Sequence, residues 1–146
     1  MEWVDSLRGQ LVGLDTSPFI FFIEEHPDYL PIVLPLFQAI YSGQVQAVTS
    51  TITLVEVLVH PLRQGNTKVS QQYRTILTQA QGINMLAITP DIAETAARLR
   101  ADFNLRTPDA IQVAAALKAG ATTFITNDRG LVRLPDMRMV LLADFA

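Results

Sequence analysis

The sequence predicts an α/β fold, a parallel sheet covered by helices on both faces. Short apolar runs recur along the chain, helical segments lie between them, and proline, glycine or capping residues mark the joints. Gln10–Asp15 is the first apolar run and ends on an acid. Pro18 then opens an aromatic helix from Phe19 to about Glu25, and a second helix runs from about Pro31 to Ser42, with Gly43 as its stop. Gln46–Thr49 reads as a second strand leading straight into a helix over Thr51–His60, which Pro61 should terminate. Thr67–Gln81 is helical up to Gly82, and Met85–Thr89 is the third strand. From Pro90 onward, Ile92, Ala96, Leu99 and Phe103 keep helical spacing. Thr107-Pro108-Asp109 supplies an N-cap, a first-turn proline and an acid at the positive end of a helix reaching Lys118 and Gly120. Thr123–Thr126 and Met139–Leu142 are the fourth and fifth strands.

A length of 146 residues fits one domain, residues 1–146, with no repeat or linker to divide it. Hydrophobic residues at 49% against 17% charged exclude a disordered chain. No apolar run approaches the roughly 18 residues of a membrane span, and Met1-Glu2-Trp3-Val4-Asp5 lacks the basic flank of a signal peptide. The absence of cysteine rules out disulfides, thiolate zinc sites and a cysteine nucleophile. The reading is a soluble cytoplasmic protein. Net charge is −3, divided as −6 over residues 1–62 and +3 over residues 63–146. The whole is no obvious polyanion binder, although the second half can supply a local basic face.

Right-handed crossovers place every strand's carboxyl end along one edge, where α/β proteins bind ligands. Four carboxylates fall there. Asp15 ends the first strand, Glu56 lies in the second turn of the helix after the second strand, Asp109 is in the first turn of its helix, and Asp128 follows the fourth strand. Each has a local explanation: Asp15 and Asp128 as turn or cap residues, Asp109 as a helix-dipole partner, Glu56 as one half of an ion pair. Glu56 resists its own, because Ile52-Thr53-Leu54-Val55-Glu56-Val57-Leu58-Val59 is apolar nearly all round and predicts a buried carboxylate needing a partner. Together the four would repel unless a cation joined them, and oxygen-only ligands suit Mg²⁺ or Mn²⁺. Such an ion activates water and polarises a phosphoryl oxygen, which points to phosphodiester hydrolysis. Arg106 and Arg129 stand nearest the acidic edge, positioned for phosphate contact; Arg100 and Arg133 read as solvated surface. His26 and His60, each before a proline at a helix end, read as dipole partners rather than catalysts. Phe19, Phe21 and Phe22 read as packing, and Ala114-Ala115-Ala116 as a site of close helix approach.

Gly13-Leu14-Asp15-Thr16-Ser17, Ser50-Thr51-Ile52-Thr53-Leu54-Val55-Glu56-Val57, Thr107-Pro108-Asp109-Ala110-Ile111-Gln112-Val113-Ala114 and Phe124-Ile125-Thr126-Asn127-Asp128 resemble, in order and spacing, the motifs of a PIN domain. The similarity is greatest to small free-standing PIN proteins of the VapC toxin type and covers Gln10 to about Leu142. The resemblance implies a three-layer α/β/α fold with strand order 3-2-1-4-5 and Mg²⁺- or Mn²⁺-dependent endoribonuclease activity. By motif match Asp15, Glu56 and Asp109 correspond to the family's three most constant acids and Asp128 to its more variable fourth, with Thr16, Ser17, Thr126 and Asn127 as supporting groups. It further implies a homodimer and a small antitoxin. That antitoxin would insert an Arg or Lys among the four acids and pack a helix around Phe19–Phe22 and Phe37. The chain departs from the pattern in its nine residues before the first strand and in its negative balance.

Two rival classes fail on residues. A phospho-accepting receiver needs an acceptor aspartate after the third strand and a late lysine, but Thr89-Pro90-Asp91 is a poor acceptor and no lysine follows Lys118. A haloacid-type phosphatase needs a second aspartate two residues after the first, where this chain has Ser17. A third alternative keeps the fold without strong catalysis, as a PIN-like RNA- or protein-binding module; loss of an acid would mark it, and none is missing.

Overall fold

The computed structural model describes residues 1–131 and 134–146, so Arg133 lies outside the described residues. Five strands, β1 (Leu11–Leu14), β2 (Gln46–Ser50), β3 (Ile83–Leu86), β4 (Thr123–Thr126) and β5 (Arg138–Leu141), form one sheet in the order β3-β2-β1-β4-β5. Every neighbouring pair is parallel. The helices are α1 (Glu2–Asp5), α2 (Thr16–Ile23), α3 (Leu30–Tyr41), α4 (Thr51–Arg63), α5 (Thr67–Gln79), α6 (Pro90–Phe103) and α7 (Thr107–Ala119).

Strand alternation sorts the core into two halves. Val12, Leu14, Ala47 and Ile125 join residues of α1–α5 in one cluster. Val48 and Phe124 face the other way and join α6 and α7. The result is the α/β/α sandwich that the resemblance implied. Gly13 also faces α7, and a Cβ there would lie 2.6 Å from Ala116 Cβ and 2.7 Å from Phe124 Cδ1. Glycine on β1 and the alanines of α7 therefore let helix and sheet approach closely, which places Asp109, at the head of α7, beside the end of β1.

Several boundaries differ from expectation. Pro61 does not end α4. The helix continues to Arg63, because in the last turn the ring forfeits one backbone bond while its apolar surface is buried; Gly65 at φ +65° makes the stop. The third strand is Ile83–Leu86, not Met85–Thr89: β2 ends at Ser50, opposite Leu86, so nothing remains for residues 87–89 to pair with. Thr89 instead caps α6, its hydroxyl accepting Ile92 N–H at 3.2 Å. Helix α5 stops at Gln79, where Ala80 turns extended. Thr107 is not the cap of α7; that position is Arg106, with no side-chain capping bond. Helix α2 starts at Thr16 rather than near Phe19, because Asp15 caps it. The residues before β1 include α1, whose Trp3 stacks on Phe145 at 5.0 Å between ring centroids and so joins the two chain ends.

Candidate functional site

The carboxyl ends of β1 and β4, the start of α2, the second turn of α4 and the head of α7 surround a cleft of about 330 Å³. Asp15, Glu56, Asp109 and Asp128 all line it, together with Thr16, Ser17, Asn127 and Arg106. Four acids separated by up to 113 positions thus share one small hollow.

Asp15 is both cap and cleft wall. One carboxylate oxygen accepts Thr16 N–H at 2.9 Å and the other accepts the Thr126 hydroxyl at 2.7 Å. Only 9% of the residue is exposed. Burial raises its pKa above the ordinary carboxylate value; the Thr126 and Thr16 bonds oppose this, and the charges of Asp109 and Glu56 add to it. Thr126 is the hub at the end of β4, since its oxygen also accepts Asp128 N–H at 3.0 Å. Asp128 closes its own turn on Gly130 N–H at 2.9 Å, while Asn127 accepts Ala143 N–H at 2.9 Å and so spends its side-chain oxygen on the loop.

Glu56 corrects an expectation. It is exposed, not buried, so burial gives no reason for it to be paired. Helix α4 buries Thr53, Val57 and Pro61 and leaves Val55, Val59 and Leu62 outward, an apolar run that is open on one side. What holds Glu56 at the cleft is the Thr16 hydroxyl, which donates to its carboxylate at 2.6 Å. Asp109, 9% exposed, is gripped by Arg106 through two bonds, Nε to Oδ2 at 2.9 Å and Nη2 to Oδ1 at 3.3 Å. The pKa of Arg106 is raised, chiefly by that hydrogen bond and charge, with Asp128 and Glu56 adding at longer range.

One residue beneath the cleft escaped the sequence reading. Gln112 is buried one turn beyond Asp109. Its carbonyl accepts the Ser50 hydroxyl at 2.6 Å, and its amide donates to Thr53 at 2.5 Å and Thr16 at 3.3 Å. Thr53 shares a further bond with Thr49 at 2.7 Å, and Thr49 donates to the carbonyl of Leu14 at 2.9 Å. Because Thr16 gives its proton to Glu56, it must accept from Gln112, which fixes the direction of the whole chain of bonds. The legible signal was a lone amide among Ala110, Ile111, Val113 and Ala114, three positions after an acid and hence on its face.

The remaining expectations fall outside the cleft. Arg129 is exposed in the turn Arg129–Leu131 and does not line it. His26 accepts the N–H groups of Asp28 and Tyr29 at 3.1 and 3.3 Å, at the entry to α3. Phe19 and Phe37 are buried against each other and Phe22 stacks on Phe37 at 4.2 Å. Phe19 and Phe37 are thus closed to an incoming helix, while Phe21 and Phe22 are only half-buried; exposed apolar side chains lie at Leu34, Tyr41, Val55, Val59 and Leu62.

The cleft's donors are all hard oxygens, the set that suits Mg²⁺ or Mn²⁺, and the Ser17 hydroxyl is buried among them with no hydrogen-bond partner. The residues fit such an ion by chemistry. Among the described residues, however, no three acidic or imidazole side chains converge closely enough as placed to hold one, and both oxygens of Asp109 are engaged by Arg106. No helix among the described residues is long and apolar enough to cross a membrane.

A small α/β/α protein with four acids in a cleft at the strand ends defines a class of acid-centred α/β domains. The PIN domain profile matches residues 12–137, and the chain belongs to the PIN domain family. No curated protein matches it. Among solved structures it is similar to the VapBC2 complex of Rickettsia felis bound to a DNA fragment from its promoter, at 18% identity and TM-score 0.68, covering 90% of this chain and 98% of that one. A toxin–antitoxin complex from Klebsiella pneumoniae shows 25% identity and TM-score 0.67 over 92% and 98%. Mycobacterium tuberculosis VapC20, a toxin cleaving the sarcin–ricin loop, shows 16% identity and TM-score 0.67 over 88% and 98%. These likenesses are in fold.

Proposed function

We propose that this chain is a metal-dependent endoribonuclease, the toxin of a type II toxin–antitoxin pair acting in the cytoplasm as one domain. The observation that carries the reading is the meeting of Asp15, Glu56, Asp109 and Asp128 in one cleft. The PIN profile and the toxin complexes among the similar structures support it. In this reading the four carboxylates are catalytic as the holders of Mg²⁺ or Mn²⁺, which supplies an activated water and offsets phosphoryl charge when bound. Thr126 and Thr16 orient Asp15, Thr16 orients Glu56, and Asn127 keeps the loop of Asp128 in place. Ser17 offers a free hydroxyl, and Arg106, with Arg129 beyond the cleft, contacts RNA phosphate. The partners are a homodimer mate, using outward apolar surface such as Val55, Val59 and Leu62, and a small antitoxin. A basic side chain of that antitoxin would enter among the acids and exclude metal and phosphate together.

Purified protein should cleave single-stranded RNA with Mg²⁺ or Mn²⁺ and stop with chelator. Asp15→Asn, Glu56→Gln and Asp109→Asn should each remove most activity, and Asp128→Asn less. Equal cleavage by wild type and Asp15→Asn would identify a contaminant and overturn the assignment. RNA binding without cleavage by the wild type would instead favour a PIN-like binding module.

A further inference from the structure

Arg106 sits where local physics disfavours it. It is the N-cap of α7, a position at which the helix dipole repels a cation and a capping oxygen is preferred, yet its side chain makes no capping bond. Asp109, three residues on, is the acid best placed to serve the orphan N–H groups of that first turn, and its two oxygens are taken by the Arg106 guanidinium instead. The pair is lopsided: the Arg106 side chain is 75% exposed and that of Asp109 only 12%. The cation thus covers a carboxylate already inside the cleft. Among the described residues neither Asp15 nor Glu56 has such a counter-charge; hydroxyl and amide donors serve them. Local rules broken without a local gain are characteristic of functional positions.

We propose that Arg106 is the built-in counter-cation of the acidic cleft, holding Asp109 in the metal-free chain and surrendering it to an entering divalent ion. The inference rests on the metal reading above and adds a competition within the same chain. A divalent ion that takes an Asp109 oxygen meets the guanidinium already bonded there, so its binding competes with the fork and swings an exposed, flexible side chain outward. Arg106 thereby raises the metal concentration at which the cleft fills, and its loss lowers it.

The test is Mn²⁺ binding by calorimetry on wild type, Arg106→Gln and Arg106→Lys, with Asp15→Asn marking heat that belongs to the cleft. An exposed ion pair of this kind predicts about two- to fivefold tighter Mn²⁺ binding by Arg106→Gln, with Arg106→Lys between it and wild type. Without metal, Arg106→Gln should melt below wild type, and the difference should vanish in an Asp109→Asn background, where no charge remains to be countered. Saturating Mn²⁺ should then raise the melting temperature of Arg106→Gln more than that of wild type. Equal or weaker Mn²⁺ binding by Arg106→Gln, with Asp15-dependent binding intact in wild type, overturns this proposal alone. Absence of any Asp15-dependent binding in wild type overturns the metal reading and this proposal with it.

Discussion

Replacing Gln112 by leucine tests whether the buried polar chain under the cleft is a structural necessity. Leucine is one heavy atom shorter but ends in bulkier methyl groups, so little net volume changes, and three hydrogen bonds go. Thr53 keeps Thr49 and Thr16 keeps Glu56, so those two bonds cost only their net worth. Ser50 is different: its hydroxyl proton loses its acceptor in a fully buried place, although its oxygen still accepts Ile52 N–H. A stranded buried donor costs about 1–3 kcal/mol, and the other two bonds about 0.5–1.5 kcal/mol each. Set against the apolar gain of leucine, the net loss is about 2–3 kcal/mol. For a chain of this size that is a fall of about 6–10 °C in melting temperature. Urea unfolding should show a lower midpoint at unchanged slope. In a Ser50→Ala background the same substitution should cost about 1 kcal/mol less, since no hydroxyl is left stranded. A loss below about 0.5 kcal/mol in the wild-type background would refute the reasoning and mean that water reaches the network.

Two further outcomes follow from the packing and charge around β1. Burial raises the native pKa of Asp15 above its ordinary 3.8, so its ionised form destabilises the metal-free fold; this penalty is full above the native value and disappears as pH falls below the unfolded one. Asp15→Asn, which preserves a capping oxygen, should therefore gain stability at pH 7 without metal and lose that gain below about pH 4 in urea titrations across pH; a less stable variant at pH 7 contradicts the assignment of burial as the cause. Gly13→Ala should destabilise by about 1–3 kcal/mol or more, because the Ala116 and Phe124 carbons at 2.6 and 2.7 Å must move; a neutral melting curve would mean that α7 does not pack as closely on β1 as described.

The parallel sheet covered on both faces and the meeting of four acids were legible because they depend on patterns that a linear text preserves, namely apolar runs, capping residues and the rule that places strand ends on one edge, whereas the strand order came only from the resemblance to PIN domains. Boundaries were less legible wherever a partner decided them. The run Met85–Thr89 looks like a strand in isolation, but β2 stops at Ser50 and fixes where β3 must end. Pro61 looks like a terminator, but burial of its ring offsets one lost bond. Glu56 failed for a related reason. An apolar helix implies burial only if every side is covered, and the sequence does not say which side of α4 stays open. Gln112 was missed because a buried amide gains meaning only from Ser50, Thr53 and Thr16, which arrive from three other elements.

Among the described residues the cleft holds four carboxylates against one guanidinium, a formal −3, and the fold spreads the cost among unlike devices. Asp15 is restrained by a hydroxyl and an N–H, Glu56 by a hydroxyl that Gln112 keeps turned toward it, and Asp109 by a full positive charge. Neutral donors fix direction without cancelling charge, so the attraction for an entering cation survives at Asp15 and Glu56. Among the described residues of the cleft the ion pair is made by a side chain that is 75% exposed, so its departure returns the cation to water and leaves Asp109 open to the entering ion. Had a buried lysine or arginine countered Asp15 instead, the displaced cation would itself have stayed unpaired in the core, at a cost of about 3–5 kcal/mol. The division of labour therefore keeps the acids in place while leaving the cleft's charge open to exchange, and it assigns that exchange to the rim.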